Sequence, residues 1–419
     1  MRSATLSILT AAILITDASA FENIKTGGDA KFFYATNDCG ANADFLDQCS
    51  SAADIALRLG IRADIRPELS IGVNGYALTT LGLENNLVSD SWSGAHEGDG
   101  DDIDDAAWIG EMWMAGSAGN TSAKIGRMEL DTPLLYSERW SIVPNTFDAA
   151  VALNRGLSGT TLAAGWIGKG NGVNPGGVAG IAEETKNSVG IDRFMARGAR
   201  FGTFGSDGAH LAGVINRSFE TLTLQGWYYN LPGIADAWWA EGELARIAGS
   251  DASVGVQLVY MDPKGEMGRY DKTQGYALRI GYEGIEDMLM AVGYSKTAEK
   301  GVFKVANLAT DNLVDADSKL YTETVWNRGY VGAPNAESVK LTLRYTLREA
   351  ALIEATYVGV NNAHSVFTTN DEDIEEFALS ASTSFGPLHT RLAYISSDLA
   401  GNANGGRYDT LIGTLTLPF

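Results

Sequence analysis

Alternation of polar and apolar side chains dominates this sequence. The clearest case is the segment from Asp54 to Arg66, in which one parity is polar or small and the other is almost wholly aliphatic. Successive side chains of a β-strand point to opposite faces, so this segment predicts a strand with one wet face and one apolar face. The same pattern returns from Val339 to Arg348. Alternation alone fits a soluble sandwich as well as a membrane barrel.

The lengths of the connections between segments distinguish a membrane barrel from a soluble sandwich. About eighteen alternating segments follow one another, and the connections between them are alternately short and long. The longest connections are 83–105, 169–207 and 297–337. Because every second connection then lies on the same side of the sheet, the segments form an up-and-down antiparallel sheet, whereas a Greek-key sandwich needs crossovers. The pattern predicts an all-β, up-and-down antiparallel transmembrane β-barrel of about 18 strands over residues 21–419.

Both ends of the chain fit export to a bacterial outer membrane. Residues 1–20 contain the basic Arg2, an apolar run and the sequence ASA ahead of Phe21, as in a secretory signal peptide. No later segment offers the roughly 18 consecutive apolar residues of a transmembrane helix. An exported chain of this kind crosses a membrane only as a closed barrel. The last predicted strand ends in an aromatic residue, Phe419, and resembles the assembly signal of outer-membrane barrels.

Charge and cysteine content narrow the expected partners. The formal net charge is −21, and the signal peptide does not alter it because it carries one basic and one acidic side chain. Such acidity argues against nucleic acid as a partner. Cys39 and Cys49 are the only cysteines. In an exported protein a pair this close predicts a disulfide, because a zinc site needs further ligands.

The segment from Asp131 to Phe147 follows neither strand nor helix periodicity. It has Pro133 and Pro144 near its ends, several large apolar side chains, and the adjacent Glu138 and Arg139. In the predicted strand order it connects the fifth and sixth strands and is the third outer loop. A barrel of about 16 to 18 strands encloses a wide aqueous channel. We therefore expect this loop to fold inward, with prolines restricting its ends, apolar residues anchoring it and charges facing the solute.

Two segments and the terminal phenylalanine carry a family likeness. These segments, GRMELDTPLLYSERWSIVPNTFDAAVALN and SSAADIALRLGIRAD, resemble the Opr family of outer-membrane porins, including the Campylobacter-type major outer membrane protein. The DTPLL…PNTF part is also similar to the basic-amino-acid channel branch of porins. The resemblance implies an eighteen-stranded barrel, often a homotrimer, with one loop folded into its lumen. The cysteine pair is not part of the family pattern.

The charged residues of the predicted pore fall into two groups. The constriction residues come from the third loop and its end: Asp131, Glu138, Arg139 and Asp148. The pore-lining residues share the polar parity of their strands: Arg58, Arg62, Arg66, Glu241, Glu243, Arg279, Lys340, Arg344 and Arg348. Acids that face basic residues across a narrow lumen favour charged or dipolar solutes. Glu138 and Arg139 either face the solute or form a local surface pair, and the sequence leaves both open.

The acidic segment from Glu97 to Asp105 also leaves two interpretations open. Asp99, Asp101, Asp102 and Asp104 offer the hard oxygen ligands that calcium prefers. The spacing does not match an EF-hand, and a solvated acidic loop explains the same composition. No other metal site and no cofactor is predicted.

Enzyme signatures are missing from the sequence. It has neither a phosphate-binding loop nor a G-x-S-x-G motif, and its four histidines are scattered. The sequence therefore predicts a non-enzymatic outer-membrane porin for passive diffusion of small hydrophilic solutes and ions, in contact with membrane lipid and lipopolysaccharide. Loop carboxylates facing basic wall residues would set its selectivity. The alternatives are a channel selective for amino acids or carboxylates, and a structural or adhesive surface barrel.

Overall fold

The computed structural model describes residues 21–38, 44–91, 103–139, 142–172, 201–204, 207–247, 249–310, 316–348, 350–364, 372–399 and 406–419. The predicted signal peptide, residues 1–20, lies outside these ranges. The strands are β1 (Glu22–Asn37), β2 (Ser51–Arg66), β3 (Leu69–Thr79), β4 (Ala106–Ala118), β5 (Thr121–Met128), β6 (Phe147–Leu157), β7 (Thr160–Gly170), β8 (Gly202–Thr203), β9 (Ala209–Asn216), β10 (Leu222–Leu231), β11 (Ala235–Leu244), β12 (Ala252–Pro263), β13 (Thr273–Ile285), β14 (Met288–Thr297), β15 (Glu337–Leu347), β16 (Ala351–Ala363), β17 (Glu372–Phe385), β18 (Leu388–Asp398) and β19 (Arg407–Pro418).

Helical structure in the described residues is confined to short turns. Within the described ranges these are 3-10 turns at Gln48–Ser50, Leu83–Asn85 and Gly265–Arg269. No helix in the described part of the chain is long and apolar enough to cross a membrane.

All nineteen strands belong to one sheet that closes on itself. Each long strand is antiparallel to the next along the chain, and β1 pairs with both β2 and β19. The two-residue β8 pairs with the end of β7 that β9 does not reach, so β8 and β9 occupy one position. The barrel therefore has eighteen positions, which confirms the predicted up-and-down antiparallel β-barrel.

One connection departs from the predicted rhythm of short and long. Strands β10 and β11 are joined on the long-loop side by the tight turn Pro232–Ile234, in which the Ile234 N–H donates to the Leu231 carbonyl at 2.9 Å. Gly233 has a φ of 75°, which suits glycine in a turn. Connection length alternates only as a tendency, whereas strand direction alternates throughout.

The two faces of the barrel follow the sequence parity. On β15 the apolar parity, Val339, Leu341, Leu343 and Tyr345, is exposed although it carries large side chains. Exposed large hydrophobic residues recur at this parity on the neighbouring strands. Aromatic pairs, such as Tyr228 with Trp238 at a centroid distance of 5.3 Å, extend the same surface. An exposed apolar belt with aromatic residues is the surface that a membrane barrel presents to lipid.

The first and last strands close the barrel at their ends. Gly28 and Phe419 exchange two backbone hydrogen bonds of 2.9 and 3.0 Å. A Cβ on Gly28 would lie 2.0 Å from the carbonyl oxygen of Arg58, so only glycine fits where β1 passes β2. The C-terminal strand is therefore the structural seam of the barrel.

Candidate functional site

Two of the three predicted basic residues of β2 lie on the face opposite the apolar belt. Arg58 and Arg62 alternate along β2 with the exposed Leu57. Arg66 follows a register shift after Asp64 and pairs with Leu69 of β3. Arg58 is ion-paired at 2.5 Å with Asp29 of β1. Arg62 lies over the Trp113 ring, with its guanidinium carbon 5.8 Å from the ring centroid. One of these three basic residues is therefore already neutralised by a wall carboxylate.

The other predicted wall residues occupy β11, β13 and β15. Arg279 of β13 is ion-paired at 2.6 Å with Glu243 of β11. On β15, Arg344 is ion-paired at 2.6 Å with Glu354 of β16. Lys340 donates instead to the backbone carbonyl of Glu323 in the connection between β14 and β15.

Arg348 is a correction to the predicted pore lining. Strand β15 ends at Leu347, and Arg348 lies in the turn before β16 with a φ of 45°. The alternation of the sequence continues one step beyond the end of the hydrogen-bonded ladder. The residue therefore belongs to a turn and not to the wall.

The connection from 129 to 146, hereafter the 129–146 loop, joins β5 and β6 as predicted. Leu134 and Leu135 are almost completely buried. The Leu134 N–H donates to the Tyr229 hydroxyl of β10 at 3.3 Å. At the other end, the Ile142 carbonyl accepts from the Lys31 ammonium of β1 at 3.3 Å. The loop is thus held by side chains of two strands that lie far apart in the sheet.

Glu138 does not face a solute or pair with Arg139. Its side chain is buried, with 6% of the residue exposed. One carboxylate oxygen accepts from Asn307 Nδ2 and Thr310 Oγ1, both at 2.9 Å, and from the Asp317 N–H at 3.3 Å. All three donors belong to the connection between β14 and β15. Glu138 therefore lies in the predicted loop, but its carboxylate binds the β14–β15 connection.

The exposed charges of the 129–146 loop are Arg139 and Asp131. The Arg139 side chain is 63% exposed and pairs with Glu129. The Asp131 side chain is 72% exposed and pairs with Lys319 of the β14–β15 connection. These two pairs, rather than Glu138, carry the exposed charges of this loop.

The prediction that Asp148 belongs to the constriction is also wrong. It pairs at 2.8 Å with Arg127 across the β5–β6 ladder. The two residues share the parity of Ile125, which is exposed on the apolar belt. Because Phe147 starts the strand with an inward side chain, Asp148 points to the outer face and does not belong to the predicted constriction.

A second loop, the 298–336 loop between β14 and β15, contacts the barrel wall in a way that the sequence prediction missed. The Tyr321 hydroxyl donates to Glu241 at 2.8 Å and to Glu243 at 3.3 Å. The Tyr321 N–H donates to Gln257 of β12 at 3.1 Å. The acids predicted as free lumen charges on β11 therefore hold this loop.

Glu376 of β17 fixes the same loop on another side of the barrel. Its carboxylate is buried and accepts the backbone N–H groups of Val325, Trp326 and Asn327 at 2.5, 3.1 and 2.8 Å. One sequence feature could have predicted that this loop packs against the protein. It is the apolar composition of VFKVANLA, residues 302–309, whose hydrophobic side chains are buried. A loop that is exposed to solvent would not bury so many consecutive hydrophobic side chains.

Burial raises the pKa of three ionisable groups in these loops, Tyr136, Tyr321 and Glu323. It raises the pKa of the Glu323 carboxyl to about 7, although the carboxylate accepts the N–H groups of Ser318 and Thr324. It also raises the pKa of the Tyr136 phenol well above its usual range. Among these three groups, Glu323 is the one whose pKa lies near neutral pH.

Two further predictions fall mainly outside the described residues. Cys39 lies outside them, while Cys49 is exposed. Asp99, Asp101 and Asp102 also lie outside, and Asp104 alone of the predicted calcium ligands is described. In the ranges that are described, no group of three or more His, Cys, Asp or Glu side chains could hold a metal ion. The disulfide and the calcium site therefore stay predictions.

Comparison with known proteins identifies the class of fold. No protein-family model and no curated protein matches the sequence. Solved structures from Pseudomonas aeruginosa do match: the outer membrane protein OpdK with vanillate has a TM-score of 0.74 at 16% identity, covering 96% of this chain and 100% of that one. OccK2 (OpdF) in complex with glucuronate has a TM-score of 0.73 at 15% identity, with coverages of 96% and 99%. OccK8 (OprE) has a TM-score of 0.73 at 14% identity, with the same coverages.

At such identities the likeness shows the fold. The closed eighteen-position barrel with an exposed apolar belt is the fold of these outer-membrane proteins. This fold is consistent with the Opr-family resemblance. It does not confirm the Campylobacter-type branch or the basic-amino-acid branch.

Proposed function

We propose that this protein is an outer-membrane channel for passive diffusion of small hydrophilic solutes, and that the 129–146 and 298–336 loops together form its constriction. One observation carries the proposal. Backbone groups of both loops hydrogen-bond to inward-parity side chains spread around the sheet, namely Tyr229, Gln257 and Glu376. Loops held at so many points of the inner wall narrow the channel that a barrel of this size otherwise leaves wide.

The selectivity is assigned to charges that solute can reach. Asp131 and Lys319 pair across the two loops, and Arg139 pairs with Glu129 beside them. On the wall, Arg62 contributes a guanidinium group. Exposed ion pairs are weak, so a charged solute competes readily for either partner. This transverse arrangement of acids and bases favours charged over apolar solutes.

A selective channel for small carboxylates is the second candidate within the same architecture. OpdK and OccK2 are known in complex with vanillate and glucuronate, both carboxylates. In this chain the guanidinium groups of the β2 wall provide the matching charge. Membership of the Opr family, a homotrimeric assembly and contact with lipopolysaccharide complete the proposal. No enzymatic activity is assigned.

Conductance across a planar bilayer tests the proposal. The purified protein is expected to give stepwise, ohmic currents in KCl. Asp131→Asn should shift the reversal potential in a salt gradient toward anion preference, because it removes an exposed negative charge at the constriction. Glu286→Gln, at an exposed turn remote from the loops, is the matched control and should leave the potential unchanged. A protein that inserts as a folded barrel but passes no current would overturn the proposal.

A further inference from the structure

The outer face of the barrel carries a groove of about 540 Å³ across β9 to β12. Its floor is formed by Gly226 of β10 and Ala240 of β11, which pair with each other in the ladder. Val214 of β9 and Leu258 of β12 lie on its two sides, and both side chains are exposed on the apolar belt. Because this face borders the membrane, small residues between larger ones leave a depression that an acyl chain can enter.

Three aromatic side chains border the groove toward the long-loop side. Tyr228, Trp238 and Tyr260 lie side by side on β10, β11 and β12, with ring centroids 5.3 Å apart in each neighbouring pair. Tyrosine and tryptophan are enriched where the acyl chains of a membrane meet its headgroups. The long loops of outer-membrane barrels are extracellular. The aromatic side chains therefore mark the headgroup level of the outer leaflet.

Polar groups lie beyond these aromatic side chains on the same outer face. Asp236 of β11 and Asp262 of β12 pair with each other across the ladder. The Tyr228 hydroxyl and Asn230 Nδ2 donate to Asp236 at 2.9 and 2.8 Å. The surface thus changes from an apolar groove to aromatic rings and then to polar groups. A lipid has the same order of apolar and polar parts along its length.

Two lysines of the connection between β12 and β13 contact these carboxylates. The Lys264 ammonium is 3.4 Å from Asp236 and 2.6 Å from Asp262. The Lys272 ammonium is 3.5 Å from Asp262 and 5.6 Å from the ring centroid of Tyr260. The two lysine side chains are 40% and 53% exposed. An ammonium group has three N–H donors, and exposed ion pairs are weak, so both lysines can bind a further anion.

We propose that the groove and the polar groups beside it form a binding site for the phosphorylated, acylated saccharide that anchors lipopolysaccharide. Lys264 and Lys272 bind a phosphate group, and an acyl chain lies in the groove. The carboxylates of Asp236 and Asp262 accept hydrogen bonds from saccharide hydroxyl groups, which favours a glycolipid over a diacyl phospholipid. The inference rests on the lipopolysaccharide contact in the proposed function and names the residues that make it. The site lies outside the lumen, so its loss should leave the conductance unchanged.

Native mass spectrometry of the purified barrel tests the site. The lipids are lipid A, which is the phosphorylated and acylated saccharide itself, lipid A without its phosphates, and phosphatidylglycerol, added separately at equal concentrations. The unmodified protein should retain lipid A several-fold better than either of the other two lipids. Lys264→Gln with Lys272→Gln should lower the retention of lipid A to that of the phosphate-free lipid, because the ammonium groups are the phosphate ligands.

A substitution that fills the groove tests the position of the acyl chain. A Cβ on Gly226 would meet only Val214 Cγ1 among the described residues, at an ordinary contact distance of 3.7 Å, so the strand accepts a side chain there. Gly226→Leu should lower the retention of lipid A several-fold. The matched control is Gly413→Leu on β19. Gly413 shares the parity of the exposed Leu415, and a Cβ there meets none of the described residues within 4 Å.

The outcomes separate this inference from the function on which it rests. Equal retention of lipid A with and without its phosphates would overturn the site, and equal retention of phosphatidylglycerol would overturn the assignment to lipopolysaccharide. Both outcomes are read from the unmodified protein and do not depend on any variant folding. Equal losses in Gly226→Leu and Gly413→Leu would remove the groove from the site. A barrel that retains lipid A but passes no KCl current would refute the channel and leave the lipid site standing.

Discussion

At the scale of single residues, the lumen uses carboxylates for two different purposes. Asp131 is exposed and weakly paired, whereas Glu138 and Glu376 are buried and accept hydrogen bonds from a loop. A buried carboxylate with several donors is costly to remove, because the donors then lose their partner. The charge of a carboxylate does not show whether it is exposed or holds a loop. Its burial and the number of hydrogen-bond donors around it distinguish the two cases.

Glu138→Ala should loosen the 298–336 loop without unfolding the barrel. Three donors, Asn307, Thr310 and the Asp317 N–H, lose their acceptor, and each unsatisfied group costs about 1–3 kcal/mol. Hydrogen exchange should therefore speed up in this loop and remain slow in the strands. Glu220→Ala, at an exposed turn, serves as the control. Unchanged exchange at Asp317 would remove Glu138 from the anchoring role.

At the scale of elements, the two long loops behave as one packed unit. Asn307 of the 298–336 loop donates to the Tyr136 carbonyl, and the Leu308 N–H donates to the Leu134 carbonyl, at 2.9 and 2.8 Å. The Tyr136 hydroxyl in turn donates to the Asp317 carbonyl at 2.6 Å. Each loop therefore stabilises the position of the other. A substitution that moves one loop should therefore also move the other.

Shortening the 298–336 loop should widen the channel. The Asn335 N–H donates to the Ala298 carbonyl at 2.8 Å, so the base of the loop is closed by a hydrogen bond and accepts a tight turn. Replacing residues 299–334 with such a turn should raise single-channel conductance several-fold while the strand ladder persists. Shortening 264–272, which joins β12 and β13, is the control and should have little effect. An unaltered conductance would place the 298–336 loop outside the conduction path.

The packing of the 298–336 loop should weaken as pH rises. The packed loop holds the Glu323 pKa at about 7, against an ordinary value of 4.5. Between these two values the packed state binds more protons than a loosened state, so its stability falls with increasing pH. The full stability is present below about pH 4.5 and is lost as pH passes about 7.

Current fluctuations between pH 5 and pH 8.5 measure this dependence on pH. We expect the noise to grow with pH in the unmodified protein and to become independent of pH in Glu323→Gln. The matched control is Glu372→Gln, at the start of β17, which should keep the dependence. Noise that falls with increasing pH has the wrong sign and would contradict the assignment to Glu323.

At the scale of the whole molecule, stability rests on a closed ladder and on an unbroken apolar belt. A charge on the belt must enter lipid, whereas the same charge one residue further along faces the lumen. Leu341 and Thr342 are such neighbours: Leu341 is exposed on the belt, and Thr342 lies on the opposite face of β15. They provide a matched pair for testing the orientation of the sheet.

Leu341→Arg should destabilise the folded barrel by about 2–4 kcal/mol near the bilayer midplane, and Thr342→Arg by much less. Urea unfolding in lipid vesicles, followed by tryptophan fluorescence, gives the two free energies of unfolding. Conductance should respond in the reverse order, since only Thr342→Arg adds charge to the lumen. Equal destabilisation by the two substitutions would mean that the faces are wrongly assigned.

The sequence by itself was sufficient to predict the barrel, because the alternation of polar and apolar side chains is a local property of each strand. The two faces of a strand appear in the sequence as alternating side chains. The alternating segment from Asp54 to Arg66 lies within β2, and the one that starts at Val339 follows β15 to its end at Leu347. It also identified the basic parity of β2 and the position of the third loop. The predictions for Arg348 and Asp148 were wrong for one reason. Alternation does not show at which residue a strand ends, or whether its first side chain points inward or outward.

Only the tertiary structure decided which charges are buried and which stay exposed. Glu138 finds its donors about 170 residues away, as the separation of 169 between it and Asn307 shows. Glu376 and Val325 are 51 residues apart. No local pattern encodes such contacts, because a buried carboxylate and an exposed one can have the same neighbours in sequence. The fold brings two distant loops together, and their packing separates the buried anchoring acids from the exposed ones.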